Sequence, residues 1–348
     1  MSARSLLFFL AKYSGFFWLS SVITRENLCI LGYHGISLRD EHCFRPMLFM
    51  RPEIFSARMF FLKKNKYRVL TLHEAIHCIQ NRSLPRRSVV ITIDDGWTGT
   101  FSHMAPVLNE FELPATLYLC TYYVEKQTQV FNVAAAYVVF KSKNYSVALN
   151  LVDAHLSGEY DFTKHGERDR CLAIIIDFGN SLPDASARQK LLQNLSTALH
   201  VDFNWILESN MFSYMRSDQV TKLQESGIDI QLHTHRHQFP IDNLEAAELE
   251  IEDNRNALLS VAPGRKNHFC YPSGVYSSSH FQCLRKLGIK SATTCEPGLV
   301  GYGDEVLALP RFLDSDDLSL IEFEAELCGF KELLRRIKAH IKASCTHS

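Results

Sequence analysis

The chain has 348 residues, enough for one large α/β domain or two smaller ones. Its 37 Lys and Arg nearly balance 38 Asp and Glu, so it lacks the basic field that a nucleic-acid partner requires. A hydrophobic fraction of 46% excludes a disordered chain.

Residues 1–26 open with Arg4 and an apolar run, Ser5 to Val22, interrupted by Lys12 and Gly15. The run is short for a spanning helix and lacks a small-x-small cleavage site. An amphipathic helix docked on the domain or on a membrane face is expected, with a signal or anchor as the alternative. Asn27 to Ile36 reads as a buried strand ending in a polar turn. Phe55, Met59 and Leu62 have helical spacing, and Thr71 with Glu74 form a capping box ahead of a helix over Leu72 to Gln80. Val89 to Ile93 is a strand, Thr98 to Phe111 a helix with Pro106 near its first turns, and Ala115 to Cys120 a short strand.

Residues 125–215 are charged and helical in pattern, and are expected to form an insertion capping the domain. Ser217 to Glu225 is a helix with Ser217 as N-cap and Gly227 as terminator, followed by a strand over Gly227 to Leu232. Asn243 to Leu259 is a long helix, and His268 to Tyr271 a strand ending in Pro272-Ser273-Gly274. A helix over Ser278 to Leu287, a strand over Ile289 to Thr294 and an extended segment over Leu309 to Leu313 follow. A last helix, Leu320 to Ala339, is expected to break at Gly329, leaving residues 329–348 as a basic tail. Strands alternating with helices predict a parallel sheet, and residues 27–328 are read as one catalytic barrel.

The chemistry sits at predicted strand ends, where α/β barrels place their active sites. Asp94-Asp95-Gly96 ends one apolar run, and His233-Thr234-His235-Arg236-His237 ends another. Adjacent carboxylates repel unless a cation compensates them. Two histidines four residues apart, with one carboxylate, can complete a zinc-type shell that leaves a position open for water. A lone Asp-Asp-Gly is usually a turn and a lone histidine cluster a solvated loop; it is their pairing that points to a metal-dependent hydrolase. The 10 cysteines include no C-x-x-C pair, which argues against a zinc ribbon and favours a reducing compartment.

These residues resemble the polysaccharide deacetylase family, also called the NodB-homology or carbohydrate esterase family 4 group. Ile93-Asp94-Asp95-Gly96 is similar to its T-F-D-D-G motif, His233 to His237 to its H-[ST]-x-x-H motif, and Cys270-Tyr271-Pro272-Ser273-Gly274 to its R-x-P-Y-G motif. The resemblance runs over about Leu28 to Cys328 and is weakest in the insertion. It implies a distorted (β/α) barrel of about seven parallel strands, and removal of an acetyl group from an N-acetylated carbohydrate. Carried over, it makes Asp95, His233 and His237 the ligands of a divalent metal, Zn2+ first, with Co2+, Ni2+ or Fe2+ as substitutes. Asp94 becomes the general base, and Tyr271, Pro272, Ser273 and Gly274 the substrate and oxyanion loop.

Two departures matter. Cys270 stands where the family has the arginine that orients the base, and the family's late L-x-H motif is missing. His34, in Leu31-Gly32-Tyr33-His34, is expected to be the general acid, as in a branch of the family with permuted strand order. Arg311 is expected to replace the missing arginine. His235 is read as an exposed neighbour, and Asp40 and His103 as structural. A catalytically inactive carbohydrate-binding member, or a deformylase or O-acetyl esterase on the same barrel, are the competing readings. The unpaired cysteines and the lack of a clean signal favour the cytoplasm, with the inner face of the membrane, and a signal or anchor at the N-terminus, as alternatives; there is no expectation for oligomeric state.

Overall fold

The computed structural model describes residues 3–143, 145–149 and 158–345. In chain order the strands are β1 (Cys29–Tyr33), β2 (Gly35–Ile36), β3 (Phe49–Met50), β4 (Arg68–Val69), β5 (Ser88–Asp95) and β6 (Thr116–Leu119). They continue with β7 (Ser146–Leu149), β8 (Gly158–Asp161), β9 (Asp229–Leu232), β10 (His268–Cys270), β11 (Ser291–Thr293) and β12 (Phe312–Leu313). The main sheet runs β11-β10-β9-β6-β5-β1-β12, with β4 also on β5, and every pairing in it is parallel. These seven strands curl into a half-barrel, as the family resemblance implies. The apolar runs of β1, β5 and β6 are buried at every position, as strands covered on both faces must be.

The segment Leu309–Leu313 closes the curl. Leu309 bridges Thr293 at the end of β11, and three residues on, Phe312 pairs with Leu31 of β1. Arg311 therefore lies where the two edges of the sheet meet, with its side chain fully buried.

The capping box at Thr71 and Glu74 forms as expected. Three local expectations are corrected. The helix from Thr98 begins as a π-turn over Thr100–Met104, with Pro106 in the first turn of the α-helix that follows, Ala105–Glu110. Ser217 is the first helical residue rather than the N-cap; Arg216 holds that position, and Gln219 accepts its backbone N–H. The insertion is not wholly helical. The antiparallel pair β7 and β8 lies between its helices Phe131–Lys141 and Glu167–Ser181, and the helix Ala185–Ala198 follows. Asp40 anchors this layer by accepting from Tyr137 Oη at 2.6 Å and Lys141 Nζ at 2.8 Å.

The N-terminal segment is two helices, Ser5–Tyr13 and Phe16–Ile23, meeting at 78° across Gly15. Gly15 has φ 87°, a left-handed conformation that costs glycine little. Phe8, Ala11 and Phe17 pack against Ala325 of the helix Leu320–Leu327 and Cys328 just after it. That helix stops at Gly329, where φ is 75° and a Cβ would meet Thr24 Oγ1 at 2.2 Å. The break re-aims the chain into the last helix, Phe330–Cys345.

Candidate active site

Asp94 and Asp95 end β5, and because successive side chains in a strand point oppositely, adjacency alone gives them different surroundings. Asp95 has φ 75°, a strained conformation for an aspartate that recurs at His237 (58°) and Ser273 (56°). Such residues persist where the surrounding structure over-determines them, and they cluster at working sites.

Asp94 is 1% exposed and is held by Arg311 in a two-pronged pair, Nη1 to Oδ1 and Nη2 to Oδ2, both 2.7 Å. Arg311 is fixed in turn by the Thr294 carbonyl at 2.9 Å and Thr92 Oγ1 at 3.0 Å. Burial pushes the Asp94 carboxyl up, but the guanidinium outweighs it and holds the group below its ordinary range. Cys270 Sγ lies 3.1 Å from Arg311 Nη2 and 3.5 Å from Asp94 Oδ2. Burial raises that thiol well above its usual range, so it stays protonated.

Asp95 Oδ2 accepts from the Trp97 indole at 2.7 Å. Its other oxygen, Oδ1, is buried without a hydrogen-bond partner, although His233 Nε2 lies at 3.3 Å and His237 Nε2 at 3.2 Å. The ligand atoms of all three residues lie within 4.8 Å of one another. His233 Nδ1 is 2.8 Å from the Cys270 carbonyl, which takes the proton at that nitrogen and leaves Nε2 as a lone-pair donor. The orphaned oxygen and the two converging imidazoles fit a divalent cation of the zinc type. A second cluster, Asp94 with His233 and Cys270, fits poorly: its carboxylate is taken by Arg311 and its thiol is protonated.

His34 follows β1, with Nε2 3.8 Å from Asp94 Oδ2. His235 turns aside to Thr121 Oγ1 at 2.8 Å and joins neither cluster. The loop after β10 divides. Ser273 lines the site cavity; Tyr271 is fully buried with its hydroxyl donated to the Leu307 carbonyl at 2.8 Å, and Pro272 is also buried. The Gly274 N–H is used by the Tyr271 carbonyl at 2.9 Å. The Tyr271 hydroxyl and the Gly274 N–H are therefore engaged within the protein, and of the four residues expected to meet the substrate only Ser273 lines the cavity.

Sequence reasoning missed Trp97 and Asn254. Asn254 accepts from the His233 N–H at 3.0 Å and donates to the Leu119 carbonyl at 2.9 Å, tying the histidine loop to β6. Trp97 sits directly after the Asp-Asp-Gly turn, but nothing in the sequence says that its indole reaches back. The site opens into a cavity of about 790 Å³, roofed from the insertion by Phe131, Asn132, Asn180 and Arg188.

A parallel barrel carrying two differently poised carboxylates, two imidazoles and a histidine at its strand ends defines a hydrolytic enzyme site. The model of the polysaccharide deacetylase family matches residues 81–147 and 164–292, more than half of the chain, and the protein belongs to that family. It is 20% identical over 303 residues to the poly-β-1,6-N-acetyl-D-glucosamine N-deacetylase of Staphylococcus epidermidis, covering 84% of this chain and 81% of that protein. It is 33% identical to YxkH of Bacillus subtilis over 94 residues, a match that spans about a third of that relative's length. Among solved structures, the deacetylase PplD of Streptococcus pyogenes in complex with acetate superposes with a TM-score of 0.58 at 16% identity, covering 86% of this chain and 98% of that one. IcaB from Ammonifex degensii gives 0.53 at 16% identity, covering 87% and 97%. At these identities the structural likeness speaks for the fold.

Proposed function

We propose that this deacetylase hydrolyses the acetamido group of an N-acetylated sugar in a glycan, glycolipid or glycan precursor, with a divalent metal ion held by Asp95, His233 and His237. The observation that carries the reading is Asp95 Oδ1, buried without a hydrogen-bond partner between two imidazole nitrogens. Such an ion, when bound, polarises the acetyl carbonyl and makes water nucleophilic at neutral pH.

The chain's own groups then divide the proton work. Asp94, kept ionised by Arg311, takes the proton of the attacking water as it adds to the carbonyl carbon. Arg311 fixes which oxygens face the site. His34 gives a proton to the sugar nitrogen as the C–N bond breaks, releasing acetate and a free amine. Trp97 and the Cys270 carbonyl hold Asp95 and His233 in place. The insertion contributes Phe131, Asn132, Asn180 and Arg188 to the cavity wall, where they would meet the sugar.

The binding-only alternative drew its support from the missing motif arginine, and Arg311 fills that position from elsewhere in the chain. Zinc suits two imidazoles and a carboxylate; cobalt, nickel and iron suit them too. The test is metal content by elemental analysis together with acetate release from N-acetylglucosamine oligosaccharides, for the parent and Asp95→Ala. Stoichiometric metal and acetate in the parent, both lost in the variant, support the proposal. Acetate release unchanged in Asp95→Ala rejects it.

A further inference from the structure

The two ends of the barrel differ sharply. The N-terminal helix pair packs beside the beginnings of β1 and β5, where Phe17, Trp18 and Thr24 share a cavity of about 280 Å³ with Cys29 and Ser88. The site lies at the other end of the same strands. From Ser88 to Asp95 the chain advances on the order of 20 Å at a strand's rise per residue.

The helix pair turns only part of its apolar surface inward. Leu7, Leu10, Tyr13, Trp18 and Ile23 are 54–71% exposed. An apolar stripe on the last helix extends this surface. Phe330 packs on Phe8 and Phe17, and the stripe then runs outward through Leu334, Ile337 and Ile341, which are 36–59% exposed. Scattered exposed apolar residues are ordinary, but a continuous run on three helices is not.

The rim of this face is basic. The last helix carries Lys331, Arg335, Arg336, Lys338 and Lys342 against one Glu332. Glu326 and Glu332 answer Lys331, Arg335 and Arg336, and cations still outnumber carboxylates along this helix in a protein of net charge -1. Tyr and Trp beside an apolar stripe with Lys and Arg on its flanks is the pattern of a helix lying in a bilayer interface. Among the described residues no single helix is long and apolar enough to cross a membrane, and the apolar helices Ser5–Tyr13 and Phe16–Ile23 are bent by 78° at their junction.

We propose that this face docks on an anionic membrane surface, with the catalytic mouth directed away from the bilayer. The enzyme would then meet glycan that extends outward from the surface rather than the first sugar of a membrane-embedded lipid. The inference is independent of the metal chemistry, because it concerns the opposite end of the barrel.

The full chain is sedimented with vesicles of phosphatidylcholine alone or mixed with phosphatidylglycerol. The protein is expected to pellet with the anionic vesicles, and less so as salt rises. Lys338→Gln should weaken partitioning about fivefold. The triple variant Leu7→Ser/Leu10→Ser/Trp18→Ser, all at exposed positions, should abolish it while keeping the parent's melting temperature and its activity on a soluble oligosaccharide. Protein that stays in solution with anionic vesicles overturns the proposal. So does equal binding to neutral vesicles, or a stable dimer that the triple variant dissociates, since the face would then belong to a second copy.

Discussion

Arg311 grips Asp94 through two 2.7 Å bonds although the two lie 217 residues apart, and both are almost entirely buried. A buried pair of this kind is worth little against a hydrophobic substitute, but removing one partner strands the other's charge.

Arg311→Met should therefore cost about 3–5 kcal/mol of stability. Arg311→Lys should fold better yet still lose turnover, because an ammonium cannot match both carboxylate oxygens. Chemical denaturation and acetate release measure the two effects. A stable Arg311→Met protein with parental activity would show the pair to be incidental.

Asp94→Asn keeps the shape of the base and removes its ability to take a proton. A loss of about 10²–10⁴ in kcat is expected with metal content unchanged. Some destabilisation should accompany it, because Arg311 then faces a neutral amide. Turnover within twofold of the parent's would reject Asp94 as the base.

The histidines of one loop should separate cleanly. His237→Ala should lose the metal, whereas His235→Ala, whose ring bonds to Thr121, should keep it. Elemental analysis of both proteins decides the matter, and metal retained in His237→Ala would contradict the ligand assignment.

His34→Gln should slow the step in which the amine leaves, and substrates with a better leaving nitrogen should recover most of the rate. Equal loss on every substrate would assign His34 to binding instead.

Acid stability should depend on His268. Burial is the main cause of its depressed pKa, about 4, with the nearby His73 adding to it. Its Nδ1 bonds to Ser291 Oγ at 2.8 Å and its Nε2 has no partner. A histidine whose folded pKa is depressed contributes stability that is present above its unfolded value near 6.5 and lost as pH falls toward 4. The loss amounts to roughly 3 kcal/mol across that window. Urea unfolding at pH 7.5 and pH 5 should differ less in His268→Gln than in the parent; an unchanged difference would place the acid lability elsewhere.

Much of the site was legible because chemistry sits at strand ends. The apolar run before Asp94 marks β5, and the run before His233 marks β9; in a parallel sheet these ends share one face. Helix limits followed from local capping, as at Thr71 and Glu74, and failed where tertiary packing intervened, as at the π-turn over Thr100–Met104. The loop after β10 showed the limit of motif reading. Tyr271, Pro272, Ser273 and Gly274 are equally suggestive as letters, but only Ser273 faces the cavity.

By itself the sequence determined the alternation of strands and helices, the family, and the residue types able to hold a metal, because these depend on local periodicity and on spacing within single loops. The tertiary structure decided the rest. It set the distances that give Asp94 to Arg311 and Asp95 to the imidazoles, because adjacent residues in a strand point to opposite sides. It also brought Arg311 to the base, since the closing segment Leu309–Leu313 carries it across the gap between the edge strands. And it set the exposed apolar helices at the far end of the barrel from the site, a placement that follows from packing on the helix Leu320–Leu327 and that no local pattern encodes.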